Sequence, residues 1–248
     1  MRRNQSNLSW QLASLVAFFI SAAVIADSPK DSVFAKDDRP QGDYEQYSIR
    51  KVPEVLAFTG VTKGMTVIDM EAGGGLYTEV LSRTVGDGGV VYMQNPTLFD
   101  SFAGDAIKSR VANNRLANVK QMRTAFDDLP VADSSVDVVT WFLGPHELWY
   151  QPKGAPEGVF GEPDKAFQEI VRTLKPGGHF IAMDHEAEDG ASAETGNTTH
   201  RIDKAIVIKH AEAAGLELLG ESAVLANAND DYSKNVFDPA VRRNTDRF

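Results

Sequence analysis

Residues 67–81 constrain the fold of this chain more than any other stretch. An apolar run ends at the carboxylate of Asp69, and three successive glycines follow at positions 73–75. Apolar residues then recur at helical spacing at positions 76, 80 and 81. This pattern predicts a buried strand that passes through a glycine-rich turn into a helix, the first unit of a Rossmann-like sheet that binds an adenosine-type ligand. The same glycines are also compatible with a tight turn that binds nothing.

The rest of the sequence alternates apolar runs with helical patterns. Pro53 is placed to begin a helix before the first strand. The run at 136–143 is almost continuously apolar, which is typical of a central parallel strand. The predicted order after the turn is strand 89–94, helix 99–111, strand 119–126, strand 136–143, loop 144–163, a helix with Phe167, Ile170, Val171 and Leu174 inward, strand 179–185, helix 199–215 and strand 216–225. We therefore expect an α/β, Rossmann-like, doubly wound and mainly parallel sheet with helices on both faces.

The N-terminus has the pattern of a secretory signal. Arg2 and Arg3 precede an apolar stretch at 12–26, which is shorter than the roughly 20 residues that a membrane span requires. An uncleaved anchor is the alternative. We expect residues 1–26 to be a signal peptide, 27–41 a polar linker and 42–248 the folded domain. We therefore expect the protein to be exported to the periplasm or out of the cell.

Charge and cysteine content restrict the partners. Residues 1–26 contain two arginines and no acidic residue, so the mature chain has 23 basic and 35 acidic side chains. A surface of that sign favours a small-molecule substrate over nucleic acid, and it predicts no stable membrane association after signal cleavage. The absence of cysteine excludes disulfides, a thiolate nucleophile and thiolate-bound zinc.

Three motifs together resemble the class I S-adenosylmethionine-dependent methyltransferases. They are Asp69 with Gly73 and Gly75, the segment 128–139 with its Asp-Leu-Pro and Ser-Val-Asp-Val-Val sequences, and Leu-Lys-Pro-Gly-Gly at 174–178. The resemblance covers about residues 42–225. Other sequences in the chain, such as Asp-His at 184–185, resemble an exported subgroup of predicted methyltransferases.

The resemblance implies S-adenosylmethionine as cofactor and assigns residues to it. The backbone of Gly73 and Gly75 would lie against the methionine part, with Asp69 organising the turn or accepting from the cofactor amine. Gln94 stands where the family usually has the acid that accepts from the ribose hydroxyls. Asp127 would lie at the adenine end. Phe142 and the residues up to His146 would border the methyl group and the substrate.

The chain departs from the family pattern at three places. Glu71 replaces the first glycine of the turn, so that either the turn adjusts or the cofactor pocket narrows. Gln94 replaces an acid and loses charge-assisted hydrogen bonding, which predicts weaker cofactor binding. The sequence stops where the last family strand would begin, so we expect that strand to be short or absent.

Candidate catalytic residues follow the strand ends. His146 and Glu147 come after the fourth strand, and Asp184 and His185 leave the fifth, at the edge where such sheets bind ligands. Histidine can accept a proton near neutral pH, so His146 is the preferred general base. A loop histidine bonded to nearby backbone is the alternative. Because adjacent strand residues face opposite ways, at most one of Asp184 and His185 points into the crevice.

Other functions remain open on sequence alone. A metal site would combine His146, His185 and His200 with Glu147 or Asp184, but no short ligand motif supports it, so we predict no metal. An exported ligand-binding protein without catalysis is one rival function, and Glu71 and Gln94 favour it. A nicotinamide-dependent oxidoreductase is a weaker rival, because the Gly-x-Gly-x-x-Gly spacing of dinucleotide folds is missing.

Overall fold

The computed structural model describes residues 33–34 and 39–248, which form one five-stranded sheet with helices around it. The predicted signal peptide, residues 1–26, lies outside the described residues. All strand pairs are parallel, and the strand order is β3-β2-β1-β4-β5. The strands are β1 (Thr66–Met70), β2 (Val90–Gln94), β3 (Val119–Met122), β4 (Val136–Phe142) and β5 (Leu174–Met183).

Seven α-helices are described, and they connect or flank the strands. They are α1 (Gly42–Ile49), α2 (Val52–Thr59), α3 (Leu76–Val85), α4 (Asp100–Val111), α5 (Pro163–Thr173), α6 (Thr195–Thr198) and α7 (Lys204–Ala213). Short 3-10 helices occur at Thr97–Phe99, Ala112–Asn114 and Pro145–Trp149. None of the helices in this part of the chain is long and apolar enough to cross a membrane.

Two apolar layers cover the two faces of the sheet, because successive strand residues point to opposite sides. Ile68 and Trp141 lie in one layer with Phe167 of α5. Val67 lies in the other layer with Leu81 of α3. This confirms the expected doubly wound α/β fold. The strands that follow β1 are added first on one side of it, as β2 and β3, and then on the other side, as β4 and β5. Ligands of such sheets bind at this switch point, between β1 and β4, beyond the carboxyl ends of the strands.

Several predicted boundaries differ from the structure. β3 ends at Met122 rather than at residue 126. Leu174 belongs to β5 rather than to the preceding helix. β5 also includes the Lys-Pro-Gly-Gly segment, and the register of its pairing with β4 shifts there, between Val136 and Val138 of β4. Within the predicted loop 144–163, residues Pro145–Trp149 form a 3-10 helix.

The predictions for residues 199–225 were partly wrong. The helix begins only at Lys204, because Asp203 caps it by accepting a hydrogen bond from the Ala205 amide at 2.8 Å.

The predicted sixth strand, residues 216–225, does not form among the described residues. The continuation of β5 is bonded elsewhere, since Glu186 N donates to Asp246 O and Ile202 N donates to His185 O, both at 3.0 Å. Two other segments thus pair with the residues just after β5, while residues 216–225 form no strand. Leu219 in the predicted strand is 74% exposed.

Part of the predicted linker is in contact with the domain. Arg39 is buried and donates hydrogen bonds to the Tyr47 hydroxyl and to the Val33 carbonyl. Tyr47 lies on α1, so this part of the linker packs against the first helix.

Candidate active site

The glycine-rich turn between β1 and α3 needs its glycines for conformation and for space. Gly73 and Gly75 have φ angles of 54° and 79°, in the left-handed region that glycine tolerates best. A Cβ on Gly75 would lie 2.8 Å from both Arg110 Cγ and Met93 Cε. A Cβ on Gly73 would meet nothing within 4 Å, so this side of the turn is open. Open backbone at Gly73 fits the approach of a cofactor.

Asp69 holds the turn from the end of β1. Its carboxylate accepts hydrogen bonds from the hydroxyls of Thr78 on α3 at 2.6 Å and Thr140 on β4 at 3.2 Å. Burial raises the Asp69 pKa to about 6, and these two hydrogen bonds oppose the shift. Asp69 thus ties β1 to α3 and β4, and the two roles considered for it stay predictions.

Glu71 is accommodated by an adjustment of the turn. The residue adopts a left-handed φ of 50°, and its Oε2 accepts a hydrogen bond of 2.9 Å from the indole nitrogen of Trp141. The carboxylate also packs against Gly144, where an added Cβ would lie 1.9 Å from Oε2. The side chain therefore narrows the space between the turn and the end of β4.

Gln94 is occupied by protein partners rather than by open space. The side chain is fully buried, its Oε1 accepts from the Glu71 amide at 2.9 Å, and its Nε2 donates to Thr124 O at 2.7 Å. Both ends of the side-chain amide therefore hydrogen-bond to backbone groups of the protein. The ribose role stays a prediction.

The sequence analysis did not identify Asn95, which follows β2 and hydrogen-bonds to the glycine-rich turn. Its Oδ1 accepts from the Gly73 amide at 2.8 Å and its Nδ2 donates to the Gly73 carbonyl at 3.1 Å. The signal was available, since Asn95 directly follows a parallel strand that ends beside β1. Its side chain fixes the glycine that the cofactor would approach.

Asp127 and Phe142 are placed differently from each other. Asp127 accepts a hydrogen bond from the Glu162 amide at 3.1 Å and thereby ties the segment after β3 to the start of α5. Phe142 is buried at the end of β4, with its ring 4.6 Å from the ring of Tyr77. The adenine and methyl-group contacts assigned to these residues stay predictions.

His146 and Asp184 form a buried pair at the carboxyl edge of β4 and β5. His146 is 4% exposed and Asp184 is fully buried. The Asp184 carboxylate lies 2.9 Å from His146 Nδ1 and also accepts from the backbone amides of His146 and His185, each at 2.7 Å. Because the carboxylate fixes the proton on Nδ1, Nε2 carries the lone pair. Burial lowers the His146 pKa, but the charge and the hydrogen bond of Asp184 raise it by more than burial lowers it. The His146 pKa therefore lies above its ordinary value.

The backbone turn before His146 begins at Leu143. Leu143 has a left-handed φ of 62°, and its amide donates to Met183 O at 2.6 Å. This bond ties the end of β4 to the end of β5. It brings the segment with His146 over Asp184.

Glu147 and His200 complete a cluster around His146 Nε2. His200 Nδ1 lies 3.3 Å from Nε2, and Glu147 Oε1 lies 3.7 Å from it. Burial raises the Glu147 pKa to about 7, with His146 opposing and Asp184 adding to the shift. Burial and the nearby His146 lower the His200 pKa to about 4.

His185 faces away from this cluster, in agreement with the argument that Asp184 and His185 point to opposite sides. Its Nδ1 lies 2.7 Å from the hydroxyl of Thr245, and burial lowers the His185 pKa to about 3. This residue is therefore held by the C-terminal segment and keeps its neutral form. Its ring also lies edge-on to the ring of His146, with 6.3 Å between the ring centroids, so His185 adjoins the cluster.

The glycine-rich turn and the cluster around His146 lie close enough for their charges to interact. Burial raises the Glu71 pKa well above its ordinary value, and the nearby charges of Glu147 and Asp184 add to that shift. Acidic and imidazole groups are thus concentrated beside the turn, at the switch point between β1 and β4.

Comparison with known families finds a match, in the central part of the chain. The family described as "Methyltransferase domain" matches residues 68–182. The matched residues contain the glycine turn and His146. Asp184 and His200 lie beyond the matched residues.

Curated relatives are similar to this chain over about half of its length. The ubiquinone/menaquinone biosynthesis C-methyltransferase UbiE of Idiomarina loihiensis is 28% identical over 127 residues, which is 51% of this chain and 45% of that protein. UbiE of Citrobacter koseri is 28% identical over 126 residues, with the same coverage. The chain thus spans about half the length of these relatives.

Solved structures share the fold. The S-adenosylmethionine-dependent methyltransferase of Aquifex aeolicus aligns with a TM-score of 0.52 and 24% identity, over 70% of this chain and 89% of that chain. The [4+2]-cyclase SpnF aligns with a TM-score of 0.54 and 20% identity, over 74% and 62% of the two chains. The same fold therefore occurs in an enzyme named for a different reaction, so the reaction must be argued from the site.

Proposed function

We propose that this protein transfers the methyl group of S-adenosylmethionine to a nucleophilic atom of a small molecule, with His146 as the general base. The observation that carries the proposal is the buried His146–Asp184 pair beside the glycine turn. S-adenosylmethionine, when bound, supplies an electrophilic methyl group. The backbone of Gly73 and Gly75 would hold it, since that side of the turn is open and Asn95 fixes Gly73.

The chemistry of the protein's own residues is proton removal and positioning. His146 Nε2 accepts the proton of the acceptor's hydroxyl or amine, and Asp184 stabilises the resulting imidazolium. The raised His146 pKa makes Nε2 a stronger base, which is available only once the pH exceeds that pKa. Glu147 lies next to Nε2 and would orient the acceptor.

The acceptor is proposed only as a class. The acidic composition supports a small molecule over nucleic acid. The UbiE relatives are named for quinone biosynthesis, but they align over less than half of their length, so a quinone acceptor is one candidate in a screen. We also propose export to the periplasm or beyond, on the basis of residues 1–26.

Transfer of label from [methyl-³H]S-adenosylmethionine to a fractionated small-molecule extract tests this function. We expect His146→Ala to reduce turnover by roughly 10²- to 10⁴-fold, the usual contribution of a general base. Its affinity for S-adenosylmethionine should stay close to wild type, because the base contacts the acceptor. Unchanged turnover in the variant would remove His146 from the mechanism, and cofactor binding without transfer to any acceptor would favour a binding protein.

A further inference from the structure

We propose that His146, Glu147 and His200 bind one divalent first-row transition metal ion, with zinc as the representative. The three side chains come from two separate segments, the 3-10 helix Pro145–Trp149 and the residue after Thr199. Two imidazoles and one carboxylate form a common donor set for such ions. The inference does not require methyl transfer, since a protein that binds the ion without catalysis would still satisfy it.

The distances between the three donor atoms match the size of a metal ion. His146 Nε2 and His200 Nδ1 are 3.3 Å apart, Glu147 Oε1 lies 3.7 Å from the first of these atoms, and it lies 3.9 Å from the second. A point equidistant from all three atoms lies about 2.1 Å from each of them. Zinc binds imidazole nitrogen and carboxylate oxygen at about 2.0–2.2 Å. An ion therefore fits between these atoms with little movement of the side chains.

Asp184 prepares His146 for this role. Metal-bound histidine usually donates its other ring N–H to a carboxylate, which fixes the tautomer and increases the basicity of the ligand nitrogen. Asp184 Oδ1 lies 2.9 Å from His146 Nδ1, and backbone amides hold the same carboxylate. The lone pair of Nε2 is therefore directed toward the cluster.

Glu147 has a buried oxygen with no hydrogen-bond partner. Its Oε2 is inaccessible and unbonded, and the side chain is 13% exposed. A hydrogen bond from His200 Nδ1 to His146 Nε2 would connect the two histidines without an ion, but it would leave this carboxylate oxygen unsatisfied. An ion at the centre of the cluster compensates the carboxylate and both imidazoles together.

His200 is held rigidly in its unusual backbone conformation. It has a left-handed φ of 54°, and the next residue, Arg201, forms a fully buried ion pair of 2.9 Å with Asp230. On the other side, α6 packs closely on the segment of His146, where a Cβ on Gly196 would lie 2.6 Å from His146 O. A glycine at position 196 therefore permits the approach of the two segments that carry the ligands.

The metal and the proton compete for the same atom. When the ion is bound, His146 Nε2 is a ligand and cannot accept a proton at the same time. The metal-free form is thus the one that uses His146 as a base. Titrations of the metal alone test the inference separately from the proposed function.

Calorimetry with Zn²⁺ alone on tag-free full-length protein, stripped with a chelator and dialysed, tests the site. We expect one Zn²⁺ per chain, and Co²⁺ alone should give the intense visible absorption of a four-coordinate ion. His200→Ala should remove stoichiometric binding, and Glu147→Gln should weaken it at least tenfold. Asp184→Asn should weaken it about 10- to 100-fold, the range for loss of a supporting carboxylate.

His210→Ala is the matched control. His210 also pairs with a carboxylate, that of Asp164, at 2.8 Å, but this carboxylate is 77% exposed and neither residue belongs to the cluster. Its removal should leave zinc binding unchanged. Absence of stoichiometric binding to the wild type would overturn the inference, as would binding that neither Glu147→Gln nor His200→Ala weakens. If His200→Ala does not fold, Glu147→Gln alone decides the result.

Discussion

The Asp184→Asn substitution perturbs the centre of the proposed site while changing little of its volume. In the wild type, Oδ2 accepts from the His146 amide and Oδ1 accepts from the His185 amide, both at 2.7 Å. His146 Nδ1 lies within 3.0 Å of both oxygens. An asparagine must direct its NH₂ group at one of these backbone donors in either orientation, so one buried N–H loses its acceptor.

The magnitude follows from two contributions. A buried donor without a partner costs about 1–3 kcal/mol of unfolding free energy at any pH. In addition, the variant keeps the burial that lowers the His146 pKa and loses the Asp184 charge that raises it. Each unit by which the His146 pKa falls costs about 1.4 kcal/mol at acidic pH.

The contribution of His146 to the free energy of unfolding depends on pH. The folded-state pKa of His146 lies above its unfolded value, so its contribution to stability is complete below about pH 6.5 and is lost as the pH rises through the raised pKa. The stability difference between wild type and variant should therefore be larger at pH 6 than at pH 9. Urea denaturation at the two pH values measures it.

NMR titration of the histidine Cε1 resonances measures the pKa directly and needs no methyl acceptor. The His146 midpoint should fall in Asp184→Asn, because the charge and hydrogen bond that raise the His146 pKa are lost. Asp164→Asn is the control, because that carboxylate also contacts a histidine, His210, but is 77% exposed. An unchanged His146 midpoint in Asp184→Asn would refute the assigned pairing.

Two further predictions concern residues that hold the cofactor turn. Glu79→Gln should destabilise the fold by about 3–5 kcal/mol at pH 7, because this buried carboxylate compensates Arg83, Arg110 and Arg115. Although burial raises the Glu79 pKa, these arginines lower it to about 2, so in urea denaturation the difference should persist above about pH 4.5 and shrink as the pH falls toward 2. An equal difference at pH 7 and pH 2 would contradict the ion pairing. Gln94→Glu should reduce both the free energy of unfolding and the affinity for S-adenosylmethionine, because it places a carboxylate against the Thr124 carbonyl. Tighter binding of S-adenosylmethionine to this variant in calorimetry would instead support the ribose contact expected from the sequence.

The sequence predicted the elements that local patterns determine. The run ending at Asp69, the glycine turn and the continuous apolar strand β4 all follow from periodicity and turn chemistry. The strand ends also predicted where His146 and Asp184 lie, because carboxyl ends of parallel strands share one edge.

Features that depend on distant contacts could not be predicted. The apolar pattern at 216–225 suggested a strand, but residues 202 and 246 bond to the continuation of β5 instead. Gln94 was expected to face the cofactor, and its burial depends on the carbonyl of Thr124, 30 residues later in the chain. His200 reaches the site only because the Arg201–Asp230 pair and the packing at Gly196 position it, and neither leaves a local sequence signal.

Calorimetric titration of the full chain with S-adenosylmethionine and S-adenosylhomocysteine tests the central claim most directly, with Gly75→Ala and Gly64→Ala as the paired variants. Both glycines have left-handed φ, but a Cβ at Gly75 would collide with Arg110 and Met93, whereas one at Gly64 would meet nothing within 4 Å. We predict that wild type and Gly64→Ala bind both compounds at one site per chain and that Gly75→Ala binds them more weakly. Absence of binding of either compound to folded wild-type protein at millimolar concentration would contradict the assignment of the turn as the cofactor site.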